Sequence, residues 1–136
     1  MEDFFKYIIA SVVLLVADGI WIFSNLDMYS ASVQAVQKNK MIVNYYYAFV
    51  AYIFVIFTTL YIAIPFTVIH LKKSDDIASR LYKSVVYGGA VGLVVYAVYN
   101  FTCLALYKDY SFTVAAVDTV WGTLLNSAVV FMYTLL

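Results

Sequence analysis

Residues 41–71 read MIVNYYYAFVAYIFVIFTTLYIAIPFTVIHL, with no Asp, Glu, Lys or Arg among them. As one α-helix the stretch would extend about 46 Å, more than the roughly 30 Å hydrocarbon core of a bilayer. It is continuously apolar and does not alternate, so it reads as a membrane-crossing helix and not as barrel strands. Pro65 predicts a kink or an end near Ile64. His70, Lys72 and Lys73 then anchor that end among the head groups.

Working outward, the same pattern recurs three times. Tyr7 to Leu26 holds a single charge, Asp18; Ser84 to Tyr107 holds none; Tyr110 to Leu136 holds only Asp118. Each run is long enough to cross once. The expectation is an all-α, integral membrane four-helix bundle in one domain covering 1–136, with approximate spans 7–26, 43–69, 84–107 and 112–134. The polar stretch Asp27–Lys40 has few strong hydrophobes and reads as a loop. Ser74–Arg80 (SDDIASR) starts with capping residue types and opens the third helix before it enters lipid.

Composition excludes the alternatives. Apolar types make up 65% of the 136 residues and charged ones 12%, against about a quarter in soluble domains. Mean hydropathy is +0.90. A soluble domain this small needs more polar surface than that. Eight basic residues matched by eight acids also exclude nucleic acid as a partner. The first run is no signal peptide: Glu2 and Asp3 give its leading end the wrong charge, and it continues past Asp18. Four spans put both termini on one side with Lys6, Lys72, Lys73, Arg80 and Lys83. Lys38, Lys40 and Lys108 lie opposite, so the charge balance favours cytoplasmic termini. Tyr45, Tyr46, Tyr47, Tyr107 and Tyr110 fit an interfacial aromatic belt.

Asp18 and Asp118 do not belong to this pattern. An aspartate near a span's centre costs about 2.5–3.5 kcal/mol on insertion scales, so the folded protein must offset it. Counting from the shared face, Asp18 lies about 12 Å deep and Asp118 and Asn100 about 10 Å. Three polar residues on three helices therefore share a layer. Helical spacing adds faces to it. Gly88, Gly92, Tyr96, Asn100 and Cys103 recur at steps of four or three; Asp118, Gly122 and Asn126 stack at steps of four; Ser11, Asp18, Trp21 and Asn25 form a similar stripe. Gly88 and Gly92 make a small-residue notch for close helix approach. Asp-x-x-Trp occurs twice, at Asp18/Trp21 and Asp118/Trp121, which suggests that each Trp donates its N–H to the carboxyl one turn away.

The stretches VLLVADGIWIF (13–23) and YAVYNFTCLALYKDYSFTVAAVDTVWGTLL (96–125) resemble domain-of-unknown-function family 2177. The resemblance implies a four-span membrane protein with family positions at Asp18, Trp21, Tyr99, Thr102, Asp118, Trp121 and Gly122. In the third helix this chain has Asn100 where the resembled pattern has Asp, and Cys103 where it has Asn.

One cysteine excludes an internal disulfide and any Cys-rich metal site. His70, the only histidine, lies about 30 Å along the second span from the aspartate layer. No phosphate-binding or dinucleotide motif is present, so neither cofactor nor metal is expected. The leading expectation is a proton- or cation-linked transport or conduction element built on Asp18 and Asp118. Asn100, Tyr96, Tyr99, Thr102, Trp21, Trp121 and Asn126 would be its polar surroundings, with Gly88, Gly92 and Gly122 as packing contacts. Two alternatives stay open. One is a structural or accessory subunit acting through helix contacts with a second copy or a membrane partner. The other is a lipid-acting enzyme using the aspartates as acid and base.

Overall fold

The computed structural model describes residues 2–136, with side chains from Phe4 onward. The described residues form five helices and no strand: α1 (Glu2–Ser24), α2 (Leu26–Gln37), α3 (Tyr45–Val68), α4 (Ile77–Leu106) and α5 (Phe112–Leu135). All but α2 are long and apolar enough to cross a membrane.

Each boundary has a local cause. Asn25 leaves helical geometry (φ −117°, ψ 19°) and separates α1 from α2. Lys38, in the left-handed region at φ 61°, ends α2. The Asn44 carboxamide oxygen accepts from the N–H groups of Tyr46 and Tyr47 and starts α3. Asp76 accepts from Ser79 N–H at 2.8 Å to start α4, and Ser111 does the same for Val114 N–H at the head of α5. The Arg80 guanidinium donates to the Thr134 carbonyl, satisfying an acceptor in the last turn of α5.

Two features depart from the sequence expectation. Residues 27–40 are not all loop, because Leu26–Gln37 folds as a helix whose inward stripe is Tyr29, Ser32, Val33 and Val36. That stripe is only half apolar, which is why hydrophobicity alone missed it. Pro65 does not end α3. A π turn at Thr59–Ala63 lies just before it, with Ile64 N–H reaching back to the Thr59 carbonyl, and the helix continues to Val68. The widened turn takes up the missing donor and the bulk of the ring. The third membrane-length helix begins at Ile77, within the Ser74–Arg80 stretch expected to open it, and carries its own π turn at Ser84–Gly88.

α5 is the central element. Half of its apolar window is buried, against 17% for α1 and for α3. Leu125, Val129 and Val130 of α5 pack with Ala10 and Leu14 of α1 and Ala63 and Ile64 of α3. α4 approaches α5 through glycines: Gly88 sits under Val130, and Gly92 lies against the Gly122 carbonyl and Asn126. No Cβ fits at Gly92 without striking backbone, so the notch sets the interhelical distance. The outer faces carry Ile20, Phe23, Phe54, Val94, Val98 and Val120, all exposed. A belt of that kind is stable in lipid and not in water.

Candidate functional site

α1 and α5 bring Asp18 and Asp118 to one layer beneath α2. Asp18 is buried, at 5% exposure. One of its carboxylate oxygens accepts from the Trp121 indole N–H at 2.7 Å, the other from the Tyr52 hydroxyl at 2.8 Å. Asp118 is held in the same manner. Its oxygens accept from the Tyr29 hydroxyl at 2.6 Å and the Asn100 amide at 2.7 Å. The Tyr29 hydroxyl also accepts from the Trp21 indole N–H at 2.9 Å, and the Tyr110 hydroxyl donates to the Asn100 carbonyl oxygen at 2.8 Å. Burial and the neighbouring Asp118 push the Tyr29 phenol above its ordinary value, which keeps it a donor.

The two Asp-x-x-Trp motifs therefore work across helices and not within them. Trp121 serves Asp18, while Trp21 reaches Asp118 through Tyr29. Residues three positions apart share a helix face, and here each indole turns across the interface to lie over the other instead. The Trp21 and Trp121 rings stack with centroids 4.4 Å apart and planes 6° apart. Each of the two helices contributes one indole to this stack.

Two cavities flank the layer. One, of about 430 Å³, is lined by Asp18 and Ile22 of α1, Ala48, Ala51, Tyr52 and Val55 of α3, Val95, Tyr96 and Tyr99 of α4, and Asp118. The other, of about 240 Å³, lies under α2 and is lined by Tyr29, Ser32, Val33, Tyr110 and Val114. Asp18, Ile22, Tyr96, Tyr99 and Asp118 line both. Tyr96 is seated against Gly122, where an added Cβ would run into its ring.

The remaining candidates lie elsewhere. Asn126 belongs to a separate buried contact about 12 Å further along α5. It accepts from the Thr59 hydroxyl at 3.0 Å and donates to the Gly122 carbonyl. Thr102 is on the exposed face of α4, and Cys103 is buried. Thr102 entered on the resemblance, and helical geometry turns it away, one residue short of the inward stripe. Tyr29, Tyr52 and Tyr110 were missed. With 14 tyrosines in the chain, residue type alone singles out none of them. Depth could have found Tyr52, seven residues or about 10 Å inside Tyr45 and so level with the aspartates. His70 is far from the layer, stacked on Tyr87 at 3.8 Å with its ring Nδ1 2.7 Å from the Phe66 carbonyl oxygen. Among the described residues no group of His, Cys, Asp and Glu is arranged to hold a metal.

A bundle with four membrane-length helices and an acidic, aromatic-capped layer inside it is a polytopic integral membrane protein. The chain belongs to the DUF2177 family, described as predicted membrane proteins, which it matches over residues 4–135. No curated protein and no solved structure matches it.

Proposed function

We propose that the protein is a proton- or cation-linked membrane element whose working groups are Asp18 and Asp118. One observation carries the reading: Asp18 and Asp118 both line both cavities, so the same two acids border two spaces. The hydrogen bonding suits exchange. On each aspartate one oxygen faces an obligate donor, the Trp121 indole or the Asn100 amide, and the other faces a phenol. A phenol both donates and accepts, so a proton arriving on that oxygen reverses the bond without dismantling the layer. The basic residues Lys72, Lys73, Arg80 and Lys83 support a cytoplasmic position for the α3–α4 loop.

Reconstitution into liposomes tests this. A pH or cation gradient should drive flux, and Asp18→Asn with Asp118→Asn should abolish it. Absence of gradient-driven flux, or flux unchanged in the double variant, overturns the proposal. A second reading is supported by the fact that all four carboxylate oxygens are already satisfied. As a structural or accessory subunit the protein would use the layer only to fix helix register, and mild-detergent purification would yield a partner or a homo-oligomer.

A further inference from the structure

The 430 Å³ cavity is a lateral cleft. The N-terminal half of α3 leans on α1, while the π turn in its C-terminal half carries the packing against α4 and α5. Between α3 and α4 the walls are Ala48, Ala51, Val55 and Val95, and Ala51 and Val95 are exposed. These positions fall within the membrane-length portions of both helices. Ala48 and Ala51, one turn apart, keep the mouth open along a helix otherwise dense in Phe, Ile and Tyr. The occupant of such a cleft comes from the bilayer and is largely hydrocarbon.

The floor sets a second condition. Asp18 and Asp118 line the cleft, and no Lys, Arg or His does. Among the described residues the ion pairs are Lys38–Asp109 and Lys83–Asp75, so neither intramembrane aspartate has a cationic partner from the chain. An ionised acid in low dielectric is expensive unless a cation pairs with it. The volume falls within the roughly 300–1,000 Å³ of ordinary small-molecule sites. We infer that the α3–α4 cleft binds a single-chain amphiphile with a cationic head, an alkylammonium in chemical class. Its head sits against Asp18 and Asp118, and its chain lies along Ala48, Ala51, Val55 and Val95. The inference rests on the carboxylate layer being the working site, but not on net proton movement. An alkyl carboxylate meets like charge there, and an alcohol gains no ion pair.

The chain has two tryptophans, stacked beside Asp18, so intrinsic fluorescence reports on the site itself. The full-length protein in phosphatidylcholine nanodiscs would be titrated with dodecylammonium, dodecanol and dodecanoate. Dodecylammonium is expected to bind at least tenfold tighter than dodecanol, and dodecanoate weakest. Asp18→Asn with Asp118→Asn should erase the tenfold preference while dodecanol binding persists. Ala51→Phe, which leaves both acids intact, should weaken dodecylammonium binding by filling the mouth, and it serves if the double variant does not fold. Equal affinity for the three probes, a preference for dodecanoate, or ammonium binding unaffected by Ala51→Phe overturns the inference. Ammonium preference without gradient-driven flux removes the proposed transport function and leaves the cleft. Flux without ammonium preference does the reverse.

Discussion

Asp18 with Asp118 at the α2 end of the bundle, and Thr59 with Asn126 two turns further in, are both buried polar clusters on facing helices, yet they are built differently. The deeper cluster is closed. Thr59 also bonds its own backbone at Val55, Asn126 bonds the Gly122 carbonyl, and glycines bring α4 into contact around them. The aspartate layer is held by long side chains from α1, α2, α3, α4 and α5 and has a cavity on either side. Short side chains that can satisfy themselves locally serve as interhelical glue. Carboxylates that depend on distant aromatic donors, with space left beside them, cost more and are kept for another reason. The contrast fits the proposed working site at the α2 end and a packing role for the deeper cluster.

The largest effect should come from breaking the closed region. A methyl group at Gly92 meets the Gly122 carbonyl, which is backbone and cannot rotate away. Gly92→Ala should therefore cost about 3 kcal/mol or more, read as a loss of thermal stability in detergent. If α4 and α5 simply separate at little cost, the glycine notch is not what sets their distance.

Removing single polar partners sharpens the comparison. Asp118→Leu removes the acceptor of the Tyr29 hydroxyl and one of the two acceptors of the buried Asn100 amide, which keeps the Tyr96 carbonyl, and should cost about 1–3 kcal/mol. Asn126→Leu leaves Thr59 with its Val55 carbonyl and should cost about 1 kcal/mol or less. The same unfolding measurement on both variants checks the order. Equal losses would mean that the two clusters are energetically alike. Asn100 adds a detail. An acid at that position, as in the resembled pattern, would face Asp118 at hydrogen-bond distance and require a shared proton, whereas the amide supplies a donor.

How much of this was legible in the sequence follows from the same contrast. Runs without charge gave the crossing helices, because the bilayer permits little else. Counting inward from the charged ends put Asp18, Asp118 and Asn100 at one depth, since helical rise is constant. Neither argument sees rotation or partner choice. Nothing in Asp-x-x-Trp says that the indole will serve the opposite helix, and Tyr29 lies on a segment too polar to register as part of a membrane protein's interior. Both π turns were invisible as well, although Pro65 marked the place of one. Sequence periodicity reports which face turns inward, and the donors were chosen by which helices became neighbours.

α2 offers a gentler test, since it closes the open layer from above. Besides Tyr29 it is held by Ser32, whose hydroxyl accepts from Ser111 N–H, and by the Lys38–Asp109 ion pair at 2.7 Å. Both partners of that pair are substantially exposed, 71% and 47%, which limits it to about 0.2–1 kcal/mol. Asp109→Ala should leave global stability nearly unchanged but speed amide exchange in 26–37, with no change around Asn126. Faster exchange in both regions would show that α2 is part of the core and not a cover.

The smallest effect lies in the α3–α4 loop, beyond the deeper cluster and outside the membrane. The Lys72 backbone N–H, and then the Lys83 ammonium, hold the Asp75 carboxyl below the ordinary aspartate value. A lowered folded value stabilises the loop at pH above the unfolded aspartate value near 3.8, and that contribution disappears as pH falls through the folded one. Asp76, which caps α4 through Ser79, is lowered in the same direction and adds to the same window. Acidification should therefore loosen the start of α4 without reaching the glycine contacts. Asp75→Asn should remove most of the pH response and cost little at neutral pH, as measured by amide exchange of residues 72–83 between pH 3 and pH 6. An acid transition of unchanged size in that variant would assign the response to Asp76 and not to Asp75.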